Sequence, residues 1–116
     1  MRTNRRALLE LTPPPILPNM LGARRIILFD DSWRSHITVY HPELRGKEAM
    51  VQQVLTSPSA IFVSGSAGDS FTFVRSGVTD SAGRQLRVVV KLGIEGTGIV
   101  TTAYFTSATG GRQVWP

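Results

Sequence analysis

The sequence predicts an α+β fold in which two N-terminal helices pack on one face of a curved antiparallel sheet of about four to five strands. Helical patterns occupy the first half of the chain and end at Pro58, and short β-type runs follow. The links between these runs favour an antiparallel meander, because a helical crossover needs a dozen or more residues. At 116 residues the chain has room for one domain.

The first half of the chain predicts one strand and two helices. Arg24–Asp30 has β-branched and aromatic residues at its centre, which favours a strand. A helix over Trp33–Tyr40 follows. Pro42 disfavours helical geometry at the residue before it but is favoured in a first turn, so we expect a break and then a second helix from Pro42 to about Leu55.

The second half predicts the sheet. Its runs are rich in valine, isoleucine, phenylalanine and threonine, and turns that contain glycine separate them. We therefore expect four strands after Pro58: Ile61–Ser64, Phe71–Arg75, Leu86–Leu92 and Ile99–Phe105.

The two ends of the chain differ from its centre. Residues 1–22 predict a basic, proline-rich arm, with one possible helical turn at Ala7–Leu11 and an extended path at the three prolines that follow. Residues 23–108 form the predicted domain, and residues 109–116 a C-terminal tail. The arm is expected to pack along the surface or to reach a partner.

Composition narrows the possible partners. Thirteen basic residues face eight acidic ones, giving a formal charge of +5, and eleven of the thirteen are arginine. The planar fork of arginine suits phosphate oxygens, which favours a polyanionic partner over the alternative of an evenly solvated basic surface. The absence of cysteine excludes disulfides and thiol catalysis. No apolar run is long enough to cross a membrane, so we predict a cytoplasmic protein with no membrane partner.

Both histidines, His36 and His41, lie near the junction of the two predicted helices. Histidine is the side chain best suited to proton transfer near neutral pH. Two of them at one helix break could face the same cleft. Alternatively, His41 is a polar residue at a helix start and His36 a partly buried one.

Four polar side chains stand on otherwise apolar strands. Alternation puts Thr102 and Tyr104 on one face of the last strand. Arg75 ends a strand that contains two phenylalanines, and Lys91 lies near the end of the next strand. Charged groups rarely enter strand centres without anions, ligands or a route to solvent. These residues therefore belong to a site, or they lie at exposed strand ends.

Sites of other kinds find less support. Asp30, Asp31 and Glu43 are near the histidines, but no third ligand at a metal-binding spacing accompanies them. The run Gly93–Gly98 leads into a strand, whereas a phosphate-binding loop leads into a helix. We therefore expect neither a metal nor a cofactor.

Five elements occur in an order that is typical of a known family. They are Trp33-x-x-His36-Ile37-x-x-x-His41-Pro42-Glu43-Leu44, Leu55-x-x-Pro58, and the strands Phe71–Arg75, Leu86–Lys91 and Ile99–Tyr104. Together they resemble the phage-associated branch of the barnase–EndoU–colicin–RelE-like (BECR) nuclease superfamily, from about Phe29 to Phe105. The His-Pro-Glu element and the closing Thr-Ala-Tyr element carry most of the resemblance.

The resemblance implies a barnase/RelE-like fold and metal-free RNA cleavage, in which the ribose 2′-hydroxyl attacks the adjacent phosphate. This chemistry needs a base, an acid and cations. The implied catalytic residues are His41 as base or acid, His36 as its partner or an RNA contact, Arg75 on the phosphate, and Thr102 and Tyr104 as positioning groups, with Tyr104 able to stack on a base. Lys91, Arg34 and Trp33 are the implied substrate-binding residues.

The implied partner is RNA, with tRNA and rRNA as candidate targets. A toxin-like or phage-borne nuclease would also need an acidic antitoxin or immunity protein in its host. Two alternatives stay open at the level of sequence: a non-catalytic nucleic-acid-binding domain on the same fold, and a protein-interaction module.

Overall fold

A computed structural model describes residues 5–12, 24–64, 69–93, 96–108 and 110–116. Its main feature is one seven-stranded sheet with the strand order β1-β2-β6-β5-β4-β3-β7. Only β2 and β6 run parallel among neighbouring strands; the other pairs are antiparallel. The strands are β1 (Ala7–Leu11), β2 (Arg25–Phe29), β3 (Ala60–Ser64), β4 (Ser70–Val74), β5 (Gln85–Leu92), β6 (Thr97–Thr106) and β7 (Arg112–Trp115).

The predicted fold class is wrong. The protein is mostly sheet, with seven strands in a mixed arrangement and two short helices, in place of two N-terminal helices on a wholly antiparallel sheet of four to five strands. The four strands predicted after Pro58 are present as β3–β6. The strand predicted at Arg24–Asp30 is present as β2, and the strands that were not predicted are β1 at one edge of the sheet and β7 at the other.

The segment Ala7–Leu11, predicted as a possible helical turn, is strand β1. Leucine favours helices in isolation, but here the backbone pairs with β2, and Leu11 becomes buried opposite Ile26. Pairing along a sheet edge therefore overrides local propensity. Residues 1–4 and 13–22 of the predicted arm lie outside the described residues, and β7 occupies half of the predicted tail.

The helical part is shorter and less regular than expected. The first helical segment, α1, is α-helical at Asp30–Ser32, π-helical at Trp33–Ile37 and α-helical again at Thr38–Tyr40. Pro42–Leu44 is a 3₁₀ turn, and the second helix, α2, spans Glu48–Thr56. The helix predicted from Pro42 to Leu55 is therefore divided in two. Gly46 lies at the break, and its φ of 78° is in the left-handed region, which is not helical.

The core lies between the helices and one face of the sheet, which we call the inner face. α1 contributes Trp33 and Ile37. The α2 stripe of Val51, Val54 and Leu55 packs against β4 and β5. The buried inner-face residues include Ile61, Phe71, Phe73, Leu86, Val88, Val90, Val100, Ala103 and Phe105. Each large side chain buried here contributes roughly 1.5–3 kcal/mol, which makes this core the main source of stability.

A bulge in β6 determines which of its residues reach the opposite, outer face. Val89 pairs with Thr102 while Val90 pairs with Val100, so Thr101 is an extra residue. Because of it, Thr102 and Tyr104 share the outer face with Arg87 and Val89 of β5. Within the described ranges, no helix is long and apolar enough to cross a membrane.

Candidate functional site

His41 occupies the junction between α1 and the 3₁₀ turn. Its N–H donates to the carbonyl of Ile37 at 2.8 Å, and its carbonyl accepts from the N–H of Leu44 at 3.0 Å. Its φ of −131° and ψ of 71° are non-helical, as expected for the residue before Pro42. The backbone is thus held on both sides while the side chain stays one-third exposed. An imidazole in this position is fixed and still accessible to a substrate.

The imidazole of His41 lies against the ring of Tyr104, with the ring centroids 5.8 Å apart and the planes inclined by 31°. Tyr104 belongs to β6, so this contact joins the helical junction to the last strand of the meander. The His-Pro-Glu and Thr-Ala-Tyr elements, which lie far apart in sequence, therefore meet in the fold.

Glu43 provides a carboxylate beside the same imidazole. Its Oε1 lies 3.6 Å from Nδ1 of His41, which is ion-pair distance for a protonated ring and too long for a hydrogen bond. The carboxylate therefore lies on the Nδ1 side of the ring, and Nε2 is on the other side. His41, Glu43 and Tyr104 together form what we call the His41 cluster.

The structure does not join the two histidines by a ring contact. His36 is exposed, and its ring meets that of Tyr40 edge-on at 5.0 Å. His41 meets Tyr104 instead. The described ring contacts therefore place the histidines in two separate pairs.

Arg75 and Lys91 make contacts away from the His41 cluster. Nη1 of Arg75 donates to the carbonyl of Ser57 at 2.6 Å, just after the C-terminal end of α2, where a cation is favourable. Nζ of Lys91 lies 4.0 Å from the carboxylate of Asp69. Lys91 is four residues along β5 from the partner of Tyr104, roughly 13 Å at about 3.4 Å per residue. Neither cation is brought to the cluster by these contacts.

The other residues implied by the resemblance divide between the sheet and the helices. Thr102 lies on the outer face, on the same side of β6 as Tyr104, and is half-buried. Trp33 is buried in the core. Nε of Arg34 donates to Asp30 at 2.8 Å. Trp33 and Arg34 both line a cavity of about 380 Å³ near the start of α2.

Sequence reasoning missed Arg87. It is the direct partner of Tyr104 across β5 and β6, and it is only 6% exposed. Its Nη1 donates to the carbonyl of Gly110 at 3.2 Å, and its guanidinium carbon lies 5.1 Å from the ring centroid of Phe62. No carboxylate among the described residues forms an ion pair with it. A buried arginine without an acidic partner is uncommon.

A signal for Arg87 is present in the sequence. It lies inside the apolar run Leu86–Leu92, and alternation puts it on the face of Val89 and Lys91. Its pairing with Tyr104 depends on the register of two strands, which the bulge at Thr101 shifts. The residue could therefore have been noticed from sequence, but its neighbour could not.

The described residues contain no group of three or more histidine, aspartate or glutamate side chains placed to hold a metal ion. Comparison with protein-family models, curated protein sequences and solved structures finds no match for this chain. A function must therefore be inferred from the chemistry of its own side chains, since a fold alone does not define one.

Proposed function

We propose that this protein is a metal-independent endoribonuclease and that the His41 cluster is its active site. The observation that supports this most directly is the contact between His41 and Tyr104. It combines an accessible proton-transfer group with a phenolic hydroxyl on one surface. Thr102 lies on the same face of β6 as Tyr104, and Arg87 lies on the neighbouring strand β5.

The proposed reaction is cleavage through the ribose 2′-hydroxyl. The 2′-oxygen loses its proton to a base and forms a bond to the adjacent phosphorus. The bond from phosphorus to the 5′-oxygen then breaks, and an acid returns a proton to that oxygen. The products are a 2′,3′-cyclic phosphate and a 5′-hydroxyl end. No redox change or external cofactor is required for this step.

His41 is the proposed base or acid, acting through Nε2 while Glu43 orients the ring. The hydroxyls of Tyr104 and Thr102 would donate to the phosphate oxygens. Arg87 is the strand partner of Tyr104, but its guanidinium contacts Gly110 and Phe62 of β3. To offset the charge that develops at the phosphate, it would leave these contacts and turn toward Tyr104. His36, about one turn before His41, and its ring partner Tyr40 would contact a neighbouring nucleotide rather than transfer a proton.

The proposed substrate implies a cellular compartment and an inhibitor. RNA of the tRNA or rRNA type is cytoplasmic, and the formal charge of +5 favours a polyanion. A toxin-like or phage-borne nuclease of this charge would be inhibited by an acidic antitoxin or immunity protein, whose carboxylates would compete for the same cations.

A second candidate is a non-catalytic nucleic-acid-binding module. The contacts of Arg75 with Ser57 and of Lys91 with Asp69 weigh against cleavage, because they hold both cations away from the His41 cluster, where a nuclease would need them. Such a module would bind RNA with a steep salt dependence and leave it intact.

The deciding experiment incubates the purified protein with total tRNA and rRNA in EDTA, beside His41→Ala and His36→Ala variants whose folding is checked by circular dichroism. We expect fragments that end in 2′,3′-cyclic phosphate with the wild type and with His36→Ala. The His41→Ala variant should lose at least about a hundredfold in rate, the usual size of a general acid–base contribution. Intact RNA with folded wild-type protein would refute the nuclease and favour the binding module.

A further inference from the structure

A cavity of about 380 Å³ lies where β1, α1 and the start of α2 meet. Ligand sites in proteins begin at roughly 300 Å³, so the cavity is large enough for a small molecule such as a mononucleotide. The lining residues are Leu8, Trp33, Arg34, Thr38, Arg45, Gly46 and Glu48. The lining combines two guanidinium groups and a carboxylate with apolar side chains.

Two arginines line the cavity, and one of them, Arg34, already forms an ion pair with Asp30 at 2.8 Å. Asp30 raises the pKa of Arg34 through its side-chain hydrogen bond, so this guanidinium stays charged. Arg45 is exposed and forms no ion pair with any residue that the structure describes. Paired guanidinium groups suit the oxygens of a phosphate.

Glu48 gives the lining a different character. Its Oε1 atom is buried and has no hydrogen-bond partner among the described residues. A buried carboxylate oxygen without a donor is costly, and a ligand with an N–H group would satisfy it. A phosphate alone cannot do so, since it would be repelled. The cavity therefore suits a ligand with an anionic group for the arginines and a hydrogen-bond donor for Glu48.

The backbone around the cavity is irregular. Trp33–Ile37 is π-helical, and the hydroxyl of Thr38 donates to the carbonyl of Trp33 at 2.9 Å. This wider turn supplies two of the lining residues, Trp33 and Arg34, and Thr38 follows it directly. Short π-helical turns within α-helices are frequent at functional sites. The irregular turn is thus an independent indication of a binding role.

We propose that this cavity is a nucleotide-binding pocket, in which Arg34 and Arg45 hold a phosphate and Glu48 accepts a hydrogen bond from the base. An adenine, for example, offers its exocyclic amino group to Glu48. As a subsite for RNA this assignment rests on the proposed nuclease function. Arg45 is four residues after His41, with the 3₁₀ turn Pro42–Leu44 between them, which is at most about 8 Å along the axis at roughly 2 Å per residue. The pocket would therefore hold a nucleotide near the cleaved phosphate.

The pocket can be tested by fluorescence titration with AMP, adenosine and inorganic phosphate. Trp33 lines the cavity, and a Trp115→Phe background makes it the sole tryptophan of the chain. AMP should bind at least about tenfold more tightly than adenosine or phosphate, since it alone satisfies both parts of the pocket. Arg45→Ala should weaken AMP binding by about tenfold or more, and Glu48→Ala should weaken both AMP and adenosine.

Arg112→Ala is the matched control, because Arg112 is an exposed arginine on β7 and does not line the cavity. Equal AMP affinities for Arg45→Ala and Arg112→Ala would overturn the pocket, as would AMP binding no tighter than inorganic phosphate. AMP binding without RNA cleavage would support the pocket and refute the nuclease. RNA cleavage without AMP binding would support the nuclease and refute the pocket.

Discussion

Replacement of Arg87 by methionine separates a structural from a catalytic role for this buried cation. In the folded protein its guanidinium has one carbonyl hydrogen bond, worth about 1.5–3 kcal/mol for a charged donor, and one aromatic contact, worth about 0.5–2 kcal/mol. Against these gains stands a desolvation cost of several kcal/mol for a charge that is 6% exposed. The two sides nearly cancel, so methionine should change the free energy of unfolding by less than about 1.5 kcal/mol.

The same substitution should affect catalysis much more strongly. Removing one preorganised group that stabilises transition-state charge costs about 10²–10³ in kcat. Urea unfolding followed by circular dichroism gives the first quantity, and the rate of RNA cleavage in EDTA gives the second. Arg112→Met is the control, since Arg112 is exposed on β7. A loss of stability above about 3 kcal/mol would show that Arg87 is a structural link to Gly110, and cleavage at the wild-type rate would exclude it from the site.

Two further predictions concern stability alone. Leu55 of α2 is fully buried, so Leu55→Ala should lower the free energy of unfolding, measured in urea, by about 2–5 kcal/mol. Gln53→Ala, on the exposed side of the same helix, should change it by no more than about 0.5 kcal/mol. Equal effects of the two substitutions would mean that α2 does not pack as described. Burial opposes the ionisation of Asp80, but hydrogen bonds from the backbone and side chain of Arg84 outweigh it and hold the pKa of Asp80 below the ordinary value of 3.8. A lowered carboxyl pKa stabilises the fold above the unfolded value, and this stabilisation is lost as the pH falls through the folded value. The stability advantage of the wild type over Asp80→Asn, measured by thermal melting, should therefore be constant near pH 6 and shrink below about pH 3.8; an advantage that grew in acid would contradict the assignment.

Some features of the fold could be predicted from the sequence, and others depend on contacts that the sequence does not reveal. The break at Pro42 was predictable, because proline restricts the residue before it regardless of the rest of the chain. The strands β3–β6 were predictable from the alternation and from turns containing glycine. The contact of Arg75 with Ser57 was not, because a long side chain at a strand end can reach many partners and only the folded neighbourhood selects one.

The sequence by itself determined the features that depend on neighbouring residues: the helical junction that holds His41, the four-stranded meander and the basic charge. Tertiary structure alone decided the strand character of Ala7–Leu11, the pairing of Arg87 with Tyr104, and the separation of His36 from His41 into different ring contacts. The physical reason is that strand pairing and side-chain contacts join residues far apart in the chain. Their free energy depends on register and on competing partners, and local propensity contains neither.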